Sequence, residues 1–424
     1  MKSLFFLILL MILTGLLWIA GGPATLAEDS SLTVMHLSAP EFPPPASAAP
    51  DITGPGSPPT GPAGSSGDGR GGSAPPVGIQ SQLPQSSSST PAEGVTWINS
   101  PPLTMRELRG KVVMIDFWDY TCINCIRTFP VNKKLWERYR DEGFVLIGVD
   151  DAEFSSAAPV DRVREAVKRF ELPYPIVVDY RYEIWNAYKN AFWPNIFLID
   201  AAGTIRYNHP GEGDDKEIES AIQGLLKEAH PGLTLPASDA IAPDVNVTAP
   251  QCGGAPTLEM YVGDWSGRGT LENPEGYHDH KTTDYGQQNS VADGHVVLSG
   301  RWETDKNGMI YRGKHKSDEP GPDRATVQYH ARELYSVMSL AKGRAARLYV
   351  KQDGKYLTAA NKGADVTIDS EGRSYVEVRQ PRLYYLAQNP EFGSHTVELF
   401  PADDGLMIDS FTFGNNCQTD FAHL

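Results

Sequence analysis

Apolar and polar residues follow three different patterns along the chain. The first is a run from Leu4 to Ala20 that is apolar apart from Thr14 and Gly15. The second, from about Trp97 to Ala229, alternates aliphatic runs with residues at helical spacing. It predicts strands at Val112–Trp118, Phe144–Val149, Ile176–Val178, Ile196–Ile199 and Thr204–Tyr207, with a hairpin turn at Ala202–Gly203. Helices are predicted from near Cys122 through Tyr139 with a kink at Pro130, at Val160–Phe170, around Tyr182–Lys189 and at Lys216–Ala229. Strands alternating with helices make an α/β unit with a central sheet. The third pattern, from about Thr257 to Phe413, has period two. Its segments are Val296–Trp302, Met309–Arg312, Thr326–Ala331, Tyr335–Leu340, Arg347–Val350, Asp365–Ile368, Tyr375–Val378, His395–Phe400 and Ile408–Phe413. Turns such as Asn307-Gly308, Asp353-Gly354 and Glu371-Gly372 separate many of them, which predicts an antiparallel, jelly-roll-like β-sandwich.

The N-terminal run, preceded by Lys2 and followed by small residues to Ala27, predicts an export segment over residues 1–27. Seventeen residues is long for a cleaved signal core and near the lower limit for a spanning helix, so cleavage and retention as one membrane anchor both stand. Either places the rest of the chain outside the cytoplasm. Residues 28–95 form a tether: from Ala39 to Ala92 there are 13 Pro, 9 Gly and 10 Ser, with Phe42 the one aromatic. Such a stretch buries too little apolar surface to offset its ordering entropy, and its coil reach is about 40 Å. The folded units then occupy 96–231 and 255–424, joined by a linker at 232–254.

Composition sharpens this picture. A chain of 424 residues is too long for one ordinary domain, and 40 Gly with 33 Pro, about 17% against a usual ~12%, agrees with an unpacked portion. The net charge of −16, with only 37 Lys and Arg, excludes a nucleic-acid binder, whose affinity rests on neutralising phosphates. Four cysteines rule out a disulfide scaffold.

The chemistry follows from where the cysteines fall. Cys122 sits at a predicted helix start, where free N–H groups and the helix dipole lower a thiol's pKa, so it is the candidate nucleophile. Cys125 lies on the same helical face and can resolve a mixed disulfide. Asp116 interrupts an apolar strand six residues before Cys122. Either it accepts the Cys125 proton or it is a satisfied structural hydrogen-bonder. Residue 126 is Ile where haem attachment requires His, and no second Cys or His pair completes a zinc site, so no metal or cofactor is expected beyond the redox-active disulfide. A partner cysteine three residues on favours dithiol exchange over thiol peroxidase chemistry. Cys252 and Cys417 flank the β unit, whose terminal strands should end close together. A structural disulfide between them is the expectation, with exchange against the first pair as its rival.

Asp116-Phe117-Trp118, Cys122-Ile123-Asn124-Cys125, Pro130 and Trp193-Pro194 together resemble the thioredoxin fold, in particular the extracytoplasmic TlpA-like group and the soluble part of DipZ-like proteins. The resemblance implies a cis Pro194 that shapes the substrate groove, with Trp118, Tyr120 and Trp193 lining its rim, core packing being the rival reading for each of the three. It implies Glu153 as a proton relay and protein thiols or disulfides as partners. His209, Gly211 and Gly213 also match, the glycines as turn formers. Ile123-Asn124 lacks the His of strongly oxidising members, which leans toward reduction, with a disulfide oxidase or isomerase as the alternative. The multi-helix membrane part of DipZ-like proteins has no counterpart in these residues, implying a separate membrane electron donor. Gln380–Tyr384 and Asp409–Gly414 resemble the carbohydrate-binding-module-like domain of that group, which implies a glycan partner for the β unit and leaves a tethered wall- or glycan-binding protein, with the α/β unit secondary, as the alternative function. Trp265, Tyr277, Tyr285, Trp302 and Tyr384 are candidate platforms, with core packing the rival reading for each.

Overall fold

The computed structural model describes residues 37–38, 40–42, 95–237, 254–263, 270–288, 290–313 and 320–415. The export segment, most of the tether, Trp265, Cys252 and Cys417 lie outside the described residues. The first unit contains strands β1 (Leu37–Ser38), β2 (Thr96–Ile98), β3 (Val112–Trp118), β4 (Phe144–Asp150), β5 (Ile176–Val178), β6 (Asn195–Ile199) and β7 (Thr204–Pro210). Its helices are α1 (Ile123–Tyr139), α2 (Val160–Arg169), α3 (Glu183–Ala187) and α4 (Asp215–Ala229). The sheet order is β1-β7-β6-β3-β4-β5-β2. β3, β4 and β5 are parallel, while β6 runs antiparallel to β3. This mixed sheet is that of the thioredoxin fold. Every residue of the central strand β3 is buried, because helices cover both sheet faces. α1 runs unbroken through Pro130. No helix among the described residues is long and apolar enough to cross a membrane.

β1 departs from the expected tether. Leu37 and Ser38 pair with Ile205 and Thr204, supplying partners to an edge whose backbone groups would otherwise stay open. Phe42 is buried and meets Trp97 edge-on at 5.3 Å, and the Glu41 carboxylate accepts the Met105 N–H at 2.9 Å. The one aromatic of the stretch thus holds its first residues to the fold.

The second unit is all β: β8 (Met260–Tyr261), β9 (Lys281–Tyr285), β10 (His295–Thr304), β11 (Met309–Tyr311), β12 (Arg324–Leu340), β13 (Ala346–Gln352), β14 (Lys355–Tyr356), β15 (Thr367–Ile368), β16 (Ser374–Val378), β17 (Arg382–Pro401) and β18 (Leu406–Gly414). These eleven strands form one hydrogen-bonded network, antiparallel in every strand pair. The two segments expected at 326–331 and 335–340 are one strand, β12, continued through a register shift near Glu333. Its first half pairs with β10 and β17, and its second half with β17 and β18, so the network changes layers along this strand.

Burial along β12 shows how the units meet. The first half alternates between buried and half-buried positions, whereas Leu334–Ser339 are buried throughout. Leu334 and Met338 enter the β core, while the intervening Tyr335 and Val337 join the core of the first unit. β17 divides in the same way, with Tyr384 and Leu386 in the β core and Leu383 and Tyr385 facing the first unit. A strand sends successive side chains to opposite faces, so one face of this layer is the interface between the units. Tyr285, Trp302 and Tyr384, three of the candidate platforms, are buried in the β core, and Tyr277 packs half-buried against it. None of these four presents an open aromatic face.

Candidate functional site

β3 and β4 are parallel and in register to Trp118 and Asp150, so the loops that follow them leave the same end of the sheet. The first carries Asp119–Cys122 and the second Asp151–Pro159. β6 pairs Asn195 with Phe117, which sets Pro194 at that same end. The topology therefore brings the cysteines, Pro194 and Glu153 to one edge, where loops outside the strand ends form functional sites.

Cys122 and Cys125 are joined as a disulfide, with Cα atoms 5.3 Å apart. Cys122 caps α1: its backbone is extended, and its Sγ accepts the Cys125 N–H at 3.2 Å. Cys122 is 9% exposed and Cys125 is fully buried, so an incoming group meets Cys122 first. Asp119 fixes the loop before them. It accepts the Thr121 N–H at 3.0 Å, the Thr121 hydroxyl at 2.9 Å and the Glu153 N–H at 2.6 Å. Burial raises its pKa to about 6 against these bonds. Sequence reasoning missed Asp119, although an Asp two residues before a Thr at a helix start is a recognisable local turn signal.

Asp116 is fully buried in β3. Asn132 of α1 donates to its Oδ2 at 2.8 Å, and its Oδ1 has no partner among the described residues. Burial raises its pKa to about 8, with the Asn132 bond opposing. The Trp193–Pro194 bond is cis. Trp193 is half-buried with its ring 4.2 Å from that of Trp185, and Tyr120 is buried in the loop. Trp118, expected at the rim, is instead fully buried and packs edge-on against Phe129 at 5.1 Å, because β3 has no open face. A Cβ on Gly148 of β4 would lie 2.7 Å from its Nε1, so that indole also needs a glycine beside it.

The β unit reaches this site twice. Glu153 is buried, and its carboxylate accepts the Tyr261 hydroxyl of β8. Arg127, on the first turns of α1, is only 8% exposed and lies 3.1 Å from Glu212 and 3.6 Å from Glu333 of β12. Tyr385 donates to Glu333 at 3.0 Å and stacks on Tyr335, ring centroids 4.4 Å apart. A side chain on Gly414 would run into both the Glu333 carboxylate and the Arg127 guanidinium. These contacts join residues from about 50 to more than 200 positions apart, and no local pattern signals them.

Residues 96–208 match the AhpC/TSA family model, and residues 257–414 match the model of the thioredoxin-like C-terminal domain. Protein DipZ of Mycobacterium tuberculosis and of Mycobacterium bovis is each 32% identical over 338 residues, covering 78% of this chain and 44% of DipZ. The chain thus spans less than half the length of these curated relatives. Thiol-disulfide oxidoreductase ResA of Bacillus cereus is 28% identical over 131 residues, 31% of this chain and 73% of ResA. With both domain models matched and the dithiol at the helix start, the chain is similar to DipZ across both of its folded units and carries the dithiol of a thioredoxin-fold oxidoreductase.

Proposed function

We propose that the protein is an exported thiol–disulfide oxidoreductase that reduces protein disulfides. The observation that carries this reading is the placement of Cys122 as the cap of α1, with buried Cys125 one turn on. In the reduced protein the Cys122 thiolate attacks one sulfur of the substrate disulfide, and the other substrate sulfur leaves as a thiolate that takes up a proton. Cys125 then passes its proton to the ionised Asp116 carboxylate and attacks Cys122 Sγ. This step forms the Cys122–Cys125 disulfide and releases the second substrate thiol. Two electrons have moved from the protein dithiol to the substrate, and a separate membrane dithiol donor restores them. Pro194 shapes the groove for the substrate backbone, with Tyr120 and Trp193 beside it. Glu153, bonded to Tyr261, relays protons to solvent. The apolar Leu4–Ala20 run supports export.

A Cys125→Ser variant should accumulate a mixed disulfide through Cys122, and the unaltered protein should reduce insulin with a dithiol donor. Absence of both sinks the reading. Direction is read from the potential of the Cys122–Cys125 couple. A value well below that of strong periplasmic oxidants, about −120 mV, fits a reductase, and a value near it reverses the direction.

A further inference from the structure

A shallow cleft opens between the two units, lined by Tyr120, Arg162, Glu165, Arg169, Gln380 and Arg382, with Ala166 and Pro381 completing its wall. Arg162, Ala166 and Arg169 fall on one face of α2, and the small Ala166 leaves the gap between the two arginines open. Arg162 meets Glu165 at 3.2 Å and Gln380 Oε1 at 3.5 Å. Arg382 holds Asp365 through two bonds, at 2.6 and 3.0 Å, and lies over the Tyr384 ring. Arg169 makes no ion pair among the described residues. Although the residue as a whole is exposed, its guanidinium lies 4.3 Å over the Phe170 ring, and local burial together with the neighbouring Arg382 lowers its pKa.

Tyr120 gives an independent observation. It is 3% exposed, its hydroxyl has no partner among the described residues, and it lines this cleft two residues before Cys122. A buried hydroxyl left without a partner is destabilising, so an acceptor is the group this wall lacks. Of the charged side chains that line the cleft or pair across it, three guanidinium groups face two carboxylates, Glu165 and Asp365. One positive charge is left over in a chain of net charge −16. A single monoanionic group balances that charge, and a doubly charged phosphate exceeds it.

We propose that this cleft binds an acidic side chain of the polypeptide substrate, the carboxylate meeting Arg169, Arg382 and the Tyr120 hydroxyl while the substrate disulfide lies at Cys122. The proposal rests on the exchange function above and adds a substrate class to it: disulfides flanked by Asp or Glu.

Two cystine peptides that differ only in a flanking Glu or Gln test it on the full chain. The Glu peptide should have the higher kcat/KM by roughly tenfold, as one charge-assisted contact implies, and the ratio should approach one in Arg169→Gln and fall part of the way in Tyr120→Phe. Cysteine-free forms of the same peptides, followed by fluorescence anisotropy, report on the cleft without turnover. If neither cystine peptide is reduced, the exchange reading fails while the binding ratio still decides this one. Equal binding of the Glu and Gln peptides overturns the proposal, as does a preference that survives Arg169→Gln. A protein that ignores peptide charge but holds a uronic-acid oligosaccharide overturns it in favour of an acidic glycan.

Discussion

In the redox unit Asp116, Asp119, Asp150 and Asp151 are all buried, and none forms an ion pair among the described residues. In the β unit Glu303, Asp365 and Glu398 each meet an arginine, at 2.8, 2.6 and 3.2 Å, near the surface. The contrast is physical. A carboxylate buried without a cation holds its proton to higher pH, and burial raises the pKa of all four redox-unit aspartates, with like-charged neighbours adding to the rise for Asp150 and Asp151. A carboxylate held by an arginine keeps its charge and fixes geometry. Asp409 is the β unit's exception, buried with Ser339 donating to it at 3.2 Å. The redox unit therefore gathers cation-free aspartates in and just after β3 and β4, while its arginine-paired acids, such as Glu219 with Arg138 at 3.0 Å, lie elsewhere, and the β unit holds paired charges along its strands.

Arg127 is where the two strategies meet, and its loss should have the largest effect. Arg127→Met leaves Glu333 fully buried and Glu212 largely so, both without their cation. The expected loss is about 3 kcal/mol, read as a lower urea midpoint. It should shrink at pH 5, where the stranded Glu212, whose pKa burial raises, takes up a proton. A loss under about 1 kcal/mol would mean that the interface rests on Tyr335, Tyr385 and their apolar neighbours alone.

Asp116→Asn tests the proton-holding side. If Asp116 accepts the Cys125 proton, the resolving step should slow by about 10- to 100-fold and lose its rise with pH through about 8. Stability should move the other way. Asp116 ionises near 3.8 in the unfolded chain and at about 8 in the folded one. The stability of its neutral folded form is therefore complete below pH 3.8 and is lost progressively as pH rises to 8. The Asn variant escapes that loss, so its advantage in thermal melts should grow from pH 4 to 8 and then level off. An unchanged resolving rate would make Asp116 as structural as the β-unit carboxylates.

What could be read from the sequence was whatever is local. The dithiol at a helix start, Asp116 in an apolar strand and the aromatic–Pro pair at 193–194 lie within short windows, and the structure brings them to one end of the sheet. Rim and core cannot be told apart for Trp118 in the sequence, because a strand covered on both faces has no alternation to mark an outer side. β12 reads as two strands in the sequence because Arg332 and Glu333 look like a polar break, whereas Glu333 is 1% exposed and faces Arg127. Tyr384 and Trp302 look alike as platform or core until the second layer is in place. The interface with the redox unit depends on pairings such as Tyr261 with Glu153, which only the tertiary fold creates.

The smallest effect is the sharpest test, because the same chemical change should act with the opposite sign. Glu303 of β10 meets Arg312 at 2.8 Å, just beyond the end of β11, with its side chain 18% exposed. Glu303→Gln keeps the shape and removes the charge. A part-exposed, hydrogen-bonded ion pair contributes about 1 kcal/mol, so this variant should be less stable by about that amount. Salt screens such a pair, so the difference from the unaltered protein should narrow in 1 M NaCl. Asp116→Asn, where no cation is lost, should keep its advantage in the same salt. Thermal melts of the two variants at pH 7.5, in low and high salt, thus ask one question of both units: whether a carboxylate stabilises the fold as a charge or only as an acid. If both amides shift stability in the same direction, the contrast between the units fails.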